Sequence, residues 1–308
     1  MSGVDSPAAG TAPPAAGHAR RHLRAAVARA ASAVLLPMAQ RVARDRIGGH
    51  TVADAISVAR RLDGEGRPCT LGFWDTPDYS RQQVLATYIE AIGALTAADL
   101  DATLSIKPPA IGFEPRLSAD LARAAAERGI GLHCDSHGTE AADASCAMIE
   151  AMLGILPADR LGTTLPGRWR RSLADADWAV ERGLAVRVVK GQWPDPGDPG
   201  RDLGRGCLEV IDRLAGRARL VAVATHEVAL LAAAIGRLRA AGTACRAELI
   251  HGAPTGAALD WAAHNGVDVR IYVPFGKGFL PNVIGMLRRD PRLALRIAKR
   301  LLGGRSGG

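Results

Sequence analysis

Val186-Arg187-Val188-Val189-Lys190-Gly191-Gln192-Trp193 is a β-type run with an arginine inside it and a lysine and glycine at its close. Val269-Arg270-Ile271-Tyr272-Val273-Pro274-Phe275-Gly276 is built the same way, with a phenol before its Pro-aromatic-Gly end. The strands in these two stretches read as Ala185–Lys190 and Val269–Val273, and outward from them further β-type runs fall at Cys69–Phe73, Thr103–Ile106, Gly131–Asp135, Leu161–Leu165, Leu220–Thr225 and Arg246–His251. Between them lie Ala/Leu/Arg segments of helical period: Arg81–Ala94, Ser118–Arg128, Ala141–Leu153, Ser172–Glu181, Leu208–Ala215, Val228–Ala240 and Thr255–Ala263. Eight strands alternating with helices predict an α/β fold, a closed (β/α)8 TIM-like barrel with an N-terminal helical arm, rather than an open doubly wound sheet.

The 308 residues, 48% of them apolar, suffice for one large core. Residues 1–17 are Ala/Pro/Gly-rich with one acid and read as a disordered tail. Residues 18–66 read as the helical arm, 67–303 as the catalytic barrel and 304–308 as a flexible C-terminus. In the arm, arginines recur at helical spacing until Gly48-Gly49, after which Thr51 caps a helix over Val52–Leu62. A basic amphipathic arm can lie on an anionic membrane surface, at the inner face, or pack on the barrel.

The net charge of +8 invites a nucleic-acid reading, but aromatics are only 4% and no zinc spacing, RNP-like pair or helix-turn-helix appears, so no nucleic-acid partner is expected. The five cysteines show no C-x-x-C pair and mostly sit in apolar runs, which points to a reducing, cytoplasmic location. No apolar run reaches the roughly 18 residues that span a bilayer. G-x-G-x-x-G after a strand, a Walker loop and H-E-x-x-H are absent, and no His/Cys/Asp cluster has the spacing of a metal site.

Function is therefore sought at the C-terminal strand ends, where barrels of this class carry their chemistry. Strand two ends in Ile106-Lys107-Pro108-Pro109, strand three in Cys134-Asp135-Ser136-His137, strand five in Arg187 to Gly191, strand six in Thr225-His226-Glu227, strand seven in Glu248 to His251 and strand eight in Tyr272. Period-two alternation puts Arg187 and Val189 on one face of strand five, so an interior Arg187 needs an anionic or acceptor partner. A bare Arg187–Asp135 ion pair would satisfy it, and Lys107 could pair with Asp135 as well. His133 reads as a satisfied core histidine.

With these residues in view, K-P after strand two, the Asp135 strand end, V-R-V-V-K-G, A-T-H and R-I-Y-V-P-F-G together resemble the flavin-dependent proline dehydrogenases, whose catalytic domain is a distorted (β/α)8 barrel. The resemblance runs from about Arg41 to Leu302 and includes the arm R-V-A-R-D-R-I-G-G-H-T-V-A-D-A. It implies FAD as cofactor, held by Arg187, Val189, Lys190, Gly191, Thr225, His226 and Ser136. Arg187, Asp135 and Lys107 would be catalytic, with Arg187 beside the flavin's reactive nitrogen. Lys107 and Tyr272 would meet the substrate, a small amine or amino acid such as L-proline. Electrons would pass on to a quinone or another acceptor.

The departures from the family pattern are specific. Gly285 and Met286 stand where the family has two adjacent arginines that clamp the substrate carboxylate, while Arg288 and Arg289 come about one turn later. Pro166 replaces a glutamine expected to reach the flavin, His137 an acid, and Glu248 a glutamine on strand seven. Arg168 and Arg288 are the replacement cations on offer for the substrate. Two alternatives from other classes stay open: a degenerate barrel that binds a ligand or partner without turnover, and a flavin-free aldolase-like barrel using Lys107 or Lys190 as a Schiff-base amine.

Overall fold

A computed structural model of the chain describes residues 48–279. The tail, the arm up to residue 47 and everything from residue 280 onward, including Gly285, Met286, Arg288 and Arg289, lie outside the described residues.

Eight parallel strands close in chain order, with the last hydrogen-bonded to the first. They are β1 (Cys69–Phe73), β2 (Ala102–Ile106), β3 (Gly131–Cys134), β4 (Leu161–Pro166), β5 (Ala185–Val189), β6 (Leu220–Ala224), β7 (Cys245–Ile250) and β8 (Val269–Phe275). Helix α1 (Val52–Gly64) precedes β1 and packs on β8 and β1 through Val52, Ala55, Ile56, Ala59 and Leu62. The connections carry α2 (Arg81–Ala97), α3 (Pro115–Glu127), α4 (Ala142–Leu153), α5 (Ser172–Glu181), α6 (Leu203–Leu214), α7 (Val228–Ala240) and α8 (Gly256–His264).

Local chemistry sets the helix starts. Thr51 and Asp54 exchange side-chain and backbone bonds in a capping box at α1, and Ser80 and Gln83 do the same at α2. Asp202 accepts from the Arg205 amide at 2.7 Å, so α6 begins at Leu203 rather than at the expected Leu208. Pro115 likewise opens α3 ahead of the expected Ser118. Gly48 is required by proximity: its amide donates to the Pro274 carbonyl at 2.7 Å, and a Cβ there would lie 2.6 Å from Val273 Cγ1.

Strand register divides the barrel into two faces, because residues paired across parallel strands point the same way. One set, including Leu71, Leu104, Leu132, Val188, Val223 and Leu249, is fully buried and forms the apolar core between sheet and helices. The alternate set lines the barrel's inside. Arg187 pairs with Thr164 and Ala222, Ser105 with His133, Glu248 with Arg270, and Thr70 with Tyr272. An interior of this type is ordinarily filled by branched apolar residues; here it is polar. Large polar side chains fit because small residues face them: a Cβ on Gly72 would run into the Tyr272 ring, and one on Gly162 into the His133 imidazole.

Candidate functional site

The centre of the mouth is Arg187. Its Nε and Nη2 make a bidentate pair with Glu248 at 3.0 and 2.7 Å, and its Nη1 donates to Asp135 Oδ1 at 2.6 Å and Ser105 Oγ at 3.2 Å. Four of the guanidinium's five N–H groups are thus committed to β2, β7 and the end of β3, and one Nη2 hydrogen has no partner among the described residues. The planar fork matches the carboxylate of Glu248, which is why arginine rather than lysine serves this position. Burial by itself would raise the Glu248 carboxyl, but the charge and hydrogen bonds of Arg187 outweigh it and leave the group below its ordinary range.

Asp135 is shared. Its Oδ1 takes Arg187 and the Ser105 hydroxyl at 2.7 Å, while its Oδ2 accepts from the Tyr272 hydroxyl at 3.3 Å. Tyr272 in turn accepts from Trp74 Nε1 at 3.2 Å, and its ring lies 5.4 Å from the Arg187 guanidinium carbon. Burial first, and then the Asp135 charge, push the Tyr272 phenol well above its ordinary range, so it stays a donor.

Lys107 departs from expectation. It pairs with Asp75 at 3.0 Å and sits 4.9 Å from the Trp74 ring centroid, not with Asp135, which already has three partners. The Lys107 amide donates to the fully buried Tyr88 hydroxyl at 3.0 Å, fixing the end of β2. A Schiff-base role would need this lysine released from Asp75.

The structure also supplies the partners that sequence reading missed. Ser105, Trp74 and Asp75 were not singled out, although Trp74 and Asp75 follow β1 at a strand end and obey the same rule that found the others. Glu248 stands in the sequence at the strand-seven end and as a departure from the family pattern, without a partner named; its register beside Arg270 puts it on the inner face, and Arg187 explains it. His133 is the expected core histidine, 3.0 Å from Thr164 Oγ1 and held neutral by burial and by the charge of Arg187.

The other candidates stand on the rim. Val189 ends β5, Lys190 pairs with the exposed Glu227, and Gly191 adopts a left-handed φ of 92°, where a Cβ would meet Pro166 Cβ at 2.8 Å. Thr225 Oγ1 accepts from the Glu227 amide at 3.2 Å, and His226 Nε2 accepts from the Ile250 amide at 3.1 Å, so the proton of a neutral imidazole is on Nδ1. Arg168 donates to the Gln192 carbonyl at 3.2 Å and is tied to the loop after β5, not to the central cluster. Ser136 lines a small recess with Asp135, Thr164 and His137, whose Nε2 is sealed from solvent without a partner among the described residues. The site therefore joins Arg187, Asp135, Glu248 and Tyr272 directly, Lys107 through Trp74, and leaves Arg168 at the edge. Among the described residues no group of three His, Cys, Asp or Glu could hold a metal, and no helix is long and apolar enough to cross a membrane.

No family profile and no curated protein matches the chain. Solved structures do. Proline utilization A from Bdellovibrio bacteriovorus, inactivated by N-propargylglycine, matches with a TM-score of 0.69 at 16% identity, over 81% of this chain and 32% of that one. Proline utilization A from Corynebacterium freiburgense matches with a TM-score of 0.61 at 13% identity, over 89% of this chain and 34% of that one. A variant of the Bradyrhizobium japonicum protein gives 0.60 at 19% identity, over 80% and 30%. The chain spans about a third of the length of these proteins. At such identities the likeness is one of fold.

Proposed function

We propose that this barrel is an FAD-dependent oxidoreductase of the proline dehydrogenase type, which oxidises a C–N bond of a small amine. The observation that carries the reading is Arg187: a buried cation at the C-terminal end of the barrel, held by Glu248 and Asp135 with one hydrogen still to give, in a fold shared with proline utilization A.

The donor set fits the cofactor. Lys190, Thr225 and His226 stand at the adjacent ends of β5 and β6, and the Lys190–Glu227 pair is exposed enough to exchange Glu227 for an anionic group. The left-handed Gly191 lets the backbone come close, and Val189 and Ser136 complete the set. FAD, when bound, supplies a two-electron acceptor for hydride.

The chain's own residues would do the rest. Asp135 attracts the cationic amine, and a nearby basic group or solvent takes its proton, since only the neutral amine can lose hydride from the carbon beside nitrogen. Tyr272 walls the pocket and steadies Asp135 with its hydroxyl; Lys107 and Asp75 hold the Trp74 side of the mouth. The amine leaves as an imine, and the electron pair goes on to a quinone or another acceptor.

A second reading has one observation in its favour. Glu248 neutralises Arg187 where the family pattern has an uncharged glutamine, which suits a barrel that binds without turnover. The visible spectrum of purified protein, repeated after addition of FAD, tests the proposal. A flavin band and a melting temperature raised by FAD are expected, both weakened in Lys190→Met. A colourless protein whose melting temperature ignores FAD would sink the proposal; a yellow protein that no amine bleaches would leave the binding barrel.

A further inference from the structure

The opposite end of the barrel carries a feature that this chemistry does not use. The innermost residues there are mostly small: Gly131, Gly162 and Ala185 occupy the N-terminal ends of β3, β4 and β5 on the inward register. They leave a cavity of about 400 Å³, within the usual size of small-molecule sites. Into this space β7 and β8 send Arg246 and Arg270.

These two arginines are not satisfied. Arg246 makes no hydrogen bond or ion pair among the described residues, and its Nε is sealed from solvent. Arg270 is 6% exposed; it donates to the Cys69 carbonyl and Asp101, yet its Nε is likewise buried without a partner. Burial first, and then repulsion by Arg270, bring the Arg246 guanidinium down to about 10.

Arg270 has Asp101 as its counter-ion, but two arginines on the cavity's exposed rim make no ion pair among the described residues. Arg160 donates to the Gly129 carbonyl, and Arg219 to the carbonyls of Gly183 and Asp159. The lining thus sets four arginines against Asp101 and Asp159. A buried cation without a counter-ion is costly, and an oxyanion accepting from two guanidinium forks removes that cost.

We infer that the N-terminal end of the barrel is a binding site for a small anionic molecule, whose phosphate or carboxylate group lies between Arg246 and Arg270. The cavity exceeds what a bare ion fills, so the ligand carries a body as well as its anionic group. His133, neutral and facing the same cavity, and Thr103 offer it further polar contacts.

The test is calorimetric titration of the full-length protein with inorganic phosphate and, separately, with citrate, against sodium chloride of matched ionic strength. Saturable one-site binding of either, with a rise in melting temperature, is expected. Binding of phosphate alone assigns a phosphate ester and binding of citrate alone a carboxylate. Arg246→Gln should weaken binding at least tenfold while the anion-free protein melts no lower than native, because an unpaired cation has been removed. If that variant does not fold, Arg219→Gln on the exposed rim should weaken binding severalfold. No saturable binding of either anion, or unchanged affinity in the variant that folds, overturns the site.

Discussion

At the scale of the residue, Arg187 is a structural keystone as much as a functional group. Removing it would leave Asp135 and Glu248 facing one another inside the barrel with no cation between them. Breaking a buried pair by deleting one partner costs about 3–5 kcal/mol. Arg187→Met should therefore lower stability in urea by about that amount. Glu248→Gln should cost less than about 2 kcal/mol, because glutamine keeps an acceptor for the fork and Arg187 keeps Asp135. Equilibrium urea unfolding of the two variants checks the ranking, and a costlier Glu248→Gln would show that Asp135 does not hold the cation. Sequence alternation puts Arg187 inside with a need for an anionic or acceptor partner, and the Arg187–Asp135 pair it names is present. The bidentate pairing with Glu248 was not legible, because it is set by side-chain reach across the barrel, which no spacing encodes. For the same reason Lys107 went to Asp75 rather than to Asp135.

At the scale of the element, the strands were legible and the helix starts less so. All eight strands lie where the β-type runs are, with ends moved by at most a residue or two, because Gly or Pro punctuation marks at least one end of each run. The starts of α3 and α6 moved forward where Pro115 and Asp202 supply a start signal that apolar periodicity does not carry. Interior packing was hidden altogether. Gly162 reads as an unremarkable strand glycine, yet it is the space in which His133 lies. Gly162→Ala would put its Cβ against the imidazole and 3.0 Å from the Ala185 carbonyl, and overpacking of this kind costs about 1–3 kcal/mol. In the double variant with His133→Ala much of that loss should return, since the clash partner is gone. Thermal unfolding of the two single variants and the pair measures the coupling. Additive losses would place the strain in the backbone of β4 and β5 instead of in the ring.

At the scale of the whole molecule, charge divides the barrel's inside along its axis. Four arginines against two aspartates stand at the N-terminal end. At the centre of the mouth, Arg187 and Lys107 face three carboxylates, Asp75, Asp135 and Glu248, and both cations are already paired, while Arg168 and the Lys190–Glu227 pair stand on the rim. This arrangement bears on the substrate. An amine is drawn toward the carboxylate-rich centre, but the carboxylate of an amino acid finds no unpaired cation in that central cluster, and the sequence has Gly285 and Met286 where the family pattern has its arginine clamp. A bidentate clamp on a buried carboxylate is worth about 2–5 kcal/mol, roughly a hundredfold or more in affinity. An enzyme that has the clamp must prefer L-proline to pyrrolidine by such a factor, since the two share a ring and differ in the carboxylate. Here pyrrolidine should be oxidised with an apparent affinity at least equal to that of L-proline. The measurement is a dye-coupled oxidation assay with added FAD, comparing kcat/KM for the two amines. Gly285→Arg combined with Met286→Arg should then move the preference toward L-proline. A native preference for L-proline of tenfold or more would mean that another cation anchors the carboxylate, and Arg288→Ala and Arg168→Ala would show which one by abolishing it.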